Sequence, residues 1–319
     1  MNSPVLTPIT QALEQGILTR RELKQLMRRS DRPALWRLVL WVAAVVFTGS
    51  LIYLSGDTLW IWPAMFIHGI VLVHHFSLQH ECCHYTVFKT RLLNDIVGNL
   101  CGLVIMLPHR FFRYEHCDHH TYTQIHGEDP EMIELPPTLG GYFLYLSSYP
   151  YWKAKFSELF RHVAGQLSET EKRFVPRVEA NTLFWEARLM LLFYLVVLTV
   201  CISFNWWAPL WYWWLPVVLG EPVMRAIRMT EHVGRPTERD MNINTRTNLV
   251  SLPWRFLCWN MNYHAEHHYA SSVPFHALPE LHQRLKNVLY VESRGYWGAH
   301  RDILAQLIGK KPRIDSSGE

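Results

Sequence analysis

The sequence predicts an all-α integral membrane protein in which four transmembrane helices form two hairpins and a cytoplasmic helical cap holds a histidine-rich site. Two observations carry this prediction. The chain of 319 residues contains four apolar blocks that come in two pairs. Nine of its eighteen histidines are gathered into short motifs at the ends of these blocks or beyond them. Because a helix needs about 20 apolar residues to cross a bilayer, the paired blocks are typical of transmembrane hairpins.

The apolar blocks carry few charged residues. In the second pair only Glu186 and Arg188 are charged, and both lie near one end. The chain has fourteen tryptophans, and their clustering around block ends suits the aromatic belts of a membrane protein. A further apolar stretch, 95–108, is short for a crossing and is predicted to be re-entrant or interfacial. The four blocks span residues 36–55, 59–76, 183–204 and 206–219.

Charge placement predicts the orientation. The hairpin turns at 56–58 and 205 contain no Lys or Arg, whereas basic residues crowd the segment that leads into the first block. The positive-inside rule therefore places both termini and every histidine motif in the cytoplasm. A basic inner surface that faces anionic lipid explains the net charge of +4 without a nucleic-acid partner. The basic residues are Arg20, Arg21, Lys24, Arg28, Arg29, Arg32 and Arg37.

These boundaries divide one membrane domain, residues 1–319, into five segments. In the first segment Thr19 and Glu22 form a capping-box signature at the start of an amphipathic helix. That helix is expected either to lie on the membrane or to pack on the protein. The segments are 1–35 (cytoplasmic or interfacial), 36–76 (first hairpin), 77–182 (cytoplasmic), 183–219 (second hairpin) and 220–319 (cytoplasmic, with a last helix at 279–289).

The histidine motifs have the spacing of ligands on helix faces. Residues three and four apart share one face of a helix, so the first histidine of H-x-x-H-H points the same way as the two later ones. This motif is expected about 0.06 times by chance at the chain's histidine frequency, yet it occurs twice. Three such helices could surround two metal ions. The histidines are His80 and His84 (HECCH), His116, His119 and His120 (HCDHH), His232 (TEHVG), and His264, His267 and His268 (HAEHH).

Other histidines are predicted to lie outside this site. Helical phase turns His74 and His75 away from the face of His80. His68 is expected to be a hydrogen-bonded polar residue within the bundle, and His109 to have a capping or surface role. The unclustered His162, His282 and His300 are expected to tolerate substitution by alanine.

The six cysteines contain no C-x-x-C pair and are expected to be reduced thiols. A thiolate ligand from Cys82, Cys83 or Cys117, which lie between the histidines, is a minor alternative.

Read alone, HECCH also matches the H-E-x-x-H helix of zinc peptidases. A peptidase site needs one further ligand and an open position for water, which leaves the other motifs without a role. Eight or nine imidazoles instead match two six-coordinate ions. Imidazole suits iron, copper and zinc alike, so the ligand type does not select the metal.

The order of motifs, H-x-x-x-H near the end of a membrane helix followed by two H-x-x-H-H motifs, resembles the integral-membrane fatty acid desaturase and hydroxylase superfamily. The resemblance covers about residues 36–289. Eight of the histidines match its three boxes, and His232 matches its additional histidine. Asp129, Pro130 and Glu131, together with the stretch WNMNYHAEHHYASSVPFHALPELH, resemble bacterial members. Cys83 departs from the glycine of several relatives.

The resemblance implies an enzyme that uses two iron ions, O₂ and two electrons to introduce a double bond into a fatty acyl or lipid chain. A hydroxylase with the same iron centre is the alternative, and a membrane zinc peptidase is a remote one. No catalytic residue is expected beyond the nine metal ligands. The expected location is a bacterial cytoplasmic membrane. Expected acceptors of hydrogen bonds from the ligand imidazoles are Glu81, Asp118, Glu231 and Glu266.

The sequence contains no dinucleotide fingerprint, no cysteine set for an iron-sulfur centre and no haem-attachment motif. Electrons are therefore expected from a separate donor of the ferredoxin, rubredoxin or cytochrome b5 type with its reductase.

Overall fold

The computed structural model describes residues 8–311, and almost all regular structure in that range is helical. A two-residue parallel sheet, in which Thr247 pairs with Val291, is the one departure from the all-α prediction within the described chain. The helices are α1 Pro8–Glu14, α2 Arg20–Leu26, α3 Asp31–Ser55, α4 Ile61–Val73, α5 His75–Cys83, α6 Arg91–Ile105, α7 His109–Tyr122, α8 Leu139–Leu146, α9 Tyr149–Val163, α10 Glu171–Phe174, α11 Ala180–Phe204, a π-helix Leu210–Trp214, α12 Leu215–His232, α13 Leu252–Leu257, α14 His264–Tyr269, α15 Leu278–Leu285 and α16 Gly295–Leu307; the strands are β1 Thr247–Asn248 and β2 Val291–Glu292.

Three helical segments of the described chain are long and apolar enough to cross a membrane: one ending with α3, α4 continued by α5, and α11. They coincide with three of the four predicted blocks. The fourth block, 206–219, is divided between the π-helix and the start of α12, and α12 then continues through charged residues to His232. A fourth crossing arises only if the bent pair α6 and α7 is counted as one span. The arrangement of four spans in two hairpins stays a prediction.

The stretch predicted to be re-entrant or interfacial contains a sharp bend. The 15-residue helix α6 is followed by α7 at an angle of 97°. Met106 ends α6 in the left-handed conformation (φ 57°), and Pro108, which cannot donate a backbone hydrogen bond, lies at the N-cap of α7. The bend turns the histidines of α7 toward the end of α5.

Helices α4 and α12 approach each other at two glycines. A Cβ atom on Gly220 would lie 2.3 Å from the carbonyl carbon of Gly69, and a Cβ on Gly69 would lie 1.9 Å from the carbonyl oxygen of Pro216. Any larger residue would therefore meet backbone that cannot rotate away. This contact fixes α4, which leads into His80, beside α12, which ends at His232.

The amphipathic N-terminal helix packs on the protein. Its predicted capping box is confirmed, because Thr19 Oγ1 accepts a hydrogen bond from Glu22 N at 3.2 Å and Glu22 accepts one from Thr19 N at 2.9 Å. Leu26 is buried in a cluster with Leu281 of α15, and Glu22 pairs with Arg284 at 3.0 Å. Of the two predicted locations, the structure supports packing against the C-terminal region.

The glycine contact predicts a position-specific effect on stability. Gly220→Ala should destabilise the protein by more than the ~1–3 kcal/mol of ordinary overpacking, because the added methyl group meets backbone atoms. Thermal unfolding in detergent measures the effect. Gly49→Ala in α3 is the control, since its nearest neighbour would be His68 Cε1 at 3.6 Å, an ordinary contact. Equal unfolding temperatures for the two variants would contradict this account.

Candidate metal centre

The structure brings all nine predicted histidines together in two adjacent groups. Within each group, one side-chain nitrogen from every member lies within 4.8 Å of the others. The five-histidine group consists of His80, His84, His116, His120 and His267, and the four-histidine group consists of His119, His232, His264 and His268. None of the six cysteines, all of them free thiols, belongs to either group.

Helices α7 and α14 each contribute to both groups. On α7, His116 and His120 enter the five-histidine group and His119 enters the other; on α14, His267 enters the first group and His268 the second. The rings of His120 and His268 stack with centroids 4.2 Å apart where the groups meet. The i, i+3 and i+4 histidines of one short helix spread over a face that is wider than a single metal ion. Each of these two helices can therefore contribute ligands to both histidine groups.

Distances between nitrogens fit shared metal ions. His120 Nε2 lies 3.0 Å from both His116 Nε2 and His267 Nε2. In the other group, His264 Nε2 lies 3.0 Å from His232 Nε2 and 3.1 Å from His268 Nε2. A metal ion ~2.1 Å from two nitrogens at right angles holds them about 3.0 Å apart.

Hydrogen bonds on the outer ring nitrogens direct lone pairs inward. His116 Nδ1 lies 2.6 Å from a Glu131 oxygen, and His119 Nδ1 lies 2.7 Å from an Asp129 oxygen. His232 Nδ1 lies 3.3 Å from the carbonyl oxygen of Asn244. These oxygens only accept, so each Nδ1 carries the proton and donates it. The Nε2 atoms are left as unprotonated donors of electron pairs, the form that binds metal.

The buried nitrogens also lack other partners. Both ring nitrogens of His80, and Nε2 of His84 and His119, have no hydrogen bond to the described residues. Burial lowers the pKa of His267 and His268 well below the usual histidine value, so these rings stay neutral at neutral pH. An unsatisfied buried polar group costs about 1–3 kcal/mol. Neutral rings with unused lone pairs are a donor set that a bound metal ion would satisfy.

Two of the four predicted carboxylate acceptors face these groups. Glu81 Oε1 lies 3.6 Å from His267 Nδ1, and Glu231 Oε2 lies 3.7 Å from His264 Nε2. Both distances exceed a hydrogen bond. Glu231 therefore lies beside the inward nitrogen of its histidine, whereas the predicted acceptors were expected on the outer side.

The other two predicted acceptors have different partners. Asp118 forms an ion pair with Arg173 at 2.7 Å, and Glu266 lies 2.5 Å from His282 Nδ1. Neither contacts a histidine of the two groups in the described contacts. Helical phase explains why Asp118 does not contact these histidines. It lies two residues after His116 and therefore on another face of α7.

Sequence reasoning missed the role of Asp129 and Glu131. Both were noted as part of a family resemblance, yet they supply the close carboxylates on His119 and His116. The loop after α7 folds back along the helix, and Asp129 also accepts a hydrogen bond from the backbone N–H of Gln124 at 2.8 Å. The available signal was two carboxylates shortly after an H-x-x-H-H helix.

Most expectations for the remaining histidines of the bundle agree with the structure. His74 and His75 lie outside both groups, as their phase predicts. His68 hydrogen bonds to Thr48 Oγ1 at 2.7 Å. His109 departs from its predicted capping or surface role, because it is buried with Nε2 3.0 Å from the Arg113 guanidinium.

The three unclustered histidines have tertiary partners in the structure, and their tolerance of alanine stays a prediction. His162 is buried beside Glu171 at 3.2 Å, His282 is buried on Glu266, and Nδ1 of His300 lies 2.9 Å from Tyr142 Oη. Each of these partners lies on a different helix, which spacing within one helix does not reveal.

An apolar cavity lies between the membrane-type helices. It encloses about 640 Å³ between α6, α9, α11 and the π-helix with α12. Two of its polar wall groups are already bonded, since Tyr194 Oη donates to Leu103 O at 2.6 Å and Trp213 Nε1 donates to Val104 O at 2.8 Å. Ile105 and Val217 of its wall also belong to the apolar cluster that contains Phe76, whose ring lies 6.1 Å from that of His80. The cavity therefore suits an apolar ligand.

Comparisons with known proteins agree with this site. A fatty acid desaturase family model matches residues 57–299. The chain is 23% identical to the sn-1 oleoyl-lipid 12-desaturase of a Picosynechococcus species over 78% of this chain and 76% of the relative. It is 23% identical to the sn-1 oleoyl-lipid 12-desaturase of a Synechocystis species over 79% and 75%, respectively. A chloroplastic omega-6 fatty acid desaturase of Glycine max is 22% identical over 71% of this chain, which spans 55% of that relative.

The family match covers more than half of the chain and includes all nine clustered histidines. The apolar helices and histidine groups indicate a membrane protein with a metal site. The chain thus belongs to the fatty acid desaturase family, whose members are oxidoreductases of lipid metabolism.

Proposed function

We propose that this protein is an O₂-dependent membrane desaturase that uses two iron ions to introduce a double bond into an acyl chain of a lipid. The observation that carries the proposal is the convergence of nine imidazoles, seven of them on buried residues, into two adjacent groups. The relatives from Picosynechococcus and Synechocystis are sn-1 oleoyl-lipid 12-desaturases, which supports a lipid-borne substrate.

The nine histidines would hold the two ions, five at one and four at the other. Bound iron would supply the oxidation chemistry that, with O₂ and two electrons, removes two hydrogens from neighbouring carbons. Burial favours the neutral form of ligands such as His267 and His268, and Asp129 and Glu131 accept hydrogen bonds from the outer nitrogens of His119 and His116. Burial of seven of the nine ligand residues also limits access of water.

The apolar cavity supports an acyl substrate. One wall is α11, a helix apolar and long enough to cross a membrane, so a lipid tail can enter from the bilayer side. The cluster containing Phe76 and Met224 lies between this cavity and the histidines. A saturated chain gains about 0.8 kcal/mol per buried CH₂ in such surroundings, which favours an alkyl tail over any polar ligand.

The remaining architecture is part of the same proposal. The whole chain forms one membrane domain with four crossings in two hairpins, and both termini and the metal centre lie on the cytoplasmic side of a bacterial membrane. The absence of Lys and Arg from the turns at 56–58 and 205 supports this orientation. A separate ferredoxin, rubredoxin or cytochrome b5 type donor supplies the electrons.

A zinc peptidase is not favoured. His80 and His84 of the H-E-x-x-H motif lie in one group with three further histidines, whereas a peptidase centre uses three protein ligands and an open position. The hydroxylase alternative shares the metal centre, and the product distinguishes it.

The proposed reaction is tested by the lipids of cells that express the protein. Expression should raise the unsaturated fraction of membrane acyl chains, and a His119→Ala variant should lose both this product and bound iron. His232→Ala should behave in the same way. His126→Ala is the matched control, since its side chain is 59% exposed and lies outside both groups. Hydroxylated chains in place of new double bonds, or full activity of His119→Ala, would refute the proposal.

The orientation is tested by cysteine labelling in intact cells. In a Cys117→Ser background, which removes the exposed native thiol, Asp57→Cys should react with a membrane-impermeant maleimide added outside. Lys172→Cys, on an exposed side chain, should react only after lysis. The opposite pattern would place the centre on the outer side.

The role of the cavity as the acyl-binding site is tested by a substitution that fills part of it. Leu195→Trp places an indole in the lined space, and displacing about two methylenes of substrate should raise the apparent KM roughly tenfold. Leu189→Trp is the control, because Leu189 is also exposed on α11 but does not line the cavity. Equal KM values for the two variants in lipid nanodiscs would exclude this cavity as the acyl site.

A further inference from the structure

A buried arginine connects carboxylates that lie beside the two histidine groups. Arg228, whose side chain is 6% exposed, donates to Glu131 Oε2 at 2.7 Å and forms a second, shorter contact with Glu231 Oε2. Glu131 holds His116 of the five-histidine group through its other oxygen. The guanidinium therefore forms one bond to a carboxylate beside each group, a forked geometry that a lysine cannot reproduce.

The two carboxylates are held to different degrees. Glu131 is fixed from two sides, by His116 and by Arg228. Arg228 is the one side-chain partner within hydrogen-bond distance that the described contacts give to the Glu231 carboxylate. Glu231 Oε2 lies only 3.7 Å from His264 Nε2, a nitrogen of the four-histidine group. A small cavity of about 10 Å³ lies at this point, and its lining includes His80, His264 and Glu231.

A buried carboxylate that loses its cation is unstable in apolar surroundings, and a metal ion offers the nearest replacement charge. The four-histidine group has one imidazole fewer than its neighbour, so it has a position that a carboxylate could occupy. We propose that Arg228 is a positioning residue that holds Glu231 away from the four-histidine group and so keeps the metal ligands all imidazole. This inference rests on the proposed metal centre.

Cobalt(II) is a suitable probe, because its visible absorption depends on ligand type and geometry, and imidazole sites accept it. The full-length protein in detergent is loaded with cobalt, and the spectrum is recorded for the parent and four variants. Glu231→Gln should give the parent spectrum, since Glu231 is not a ligand. Arg228→Gln should shift the absorption as the released carboxylate binds. Arg228→Gln combined with Glu231→Gln should restore the parent spectrum, because an amide is a poor replacement ligand.

The matched control is Arg225→Gln. Arg225 lies one turn earlier on α12, is equally buried and pairs with Glu221 at 2.7 Å, away from the histidine groups. It should leave the spectrum unchanged. The inference is overturned by an unshifted Arg228→Gln spectrum, by a shift that persists in the double variant, or by the same shift in Arg225→Gln.

Glu231→Gln keeps the test decisive if Arg228→Gln does not fold. A changed spectrum in that single variant would mean that Glu231 is itself a ligand, contrary to the inference. Failure of the proposed metal centre is distinguishable, because the parent protein would then bind no cobalt at all.

Discussion

Nine imidazole rings are packed with their inner nitrogens turned toward one another, and this arrangement is the constraint on which the site depends. Rings such as His116, His120 and His267 cannot all satisfy those nitrogens among themselves, since each nitrogen carries at most one proton. Burial lowers the pKa of rings such as His267 and leaves lone pairs without partners. Metal binding resolves the conflict, so folding of this region and loading of the centre are expected to stabilise each other.

The scaffold meets this constraint through a small number of close contacts. The Gly69 and Gly220 contact brings α4 and α12 together, so that His80 and His232 emerge beside each other. The bend between α6 and α7 then places the histidine-bearing face of α7 next to both His80 and His232. Because α7 and α14 each serve both groups, displacement of either helix would disturb both metal positions at once.

Charge is arranged in layers around the imidazoles. Asp129 and Glu131 fix protons on the outer nitrogens, and Arg228 in turn fixes Glu131 and Glu231. The apolar cluster with Phe76 contacts both the cavity wall and His80. Under the proposed function, such apolar surroundings would let an alkyl chain approach the metal centre without bringing water with it.

The sequence by itself determined which histidines cluster, because i, i+3 and i+4 spacing on a helix is a local property that needs no partner. The same holds for the capping box of Thr19 and Glu22 and for three apolar blocks long enough to cross a membrane. Only the tertiary structure decided that the nine histidines divide into five and four, that Asp129 and Glu131 rather than Asp118 and Glu266 hold the imidazoles, and that His282 is buried on Glu266. These features depend on the angle between helices and on loops that fold back, that is, on contacts between different elements, which periodicity within one helix does not predict.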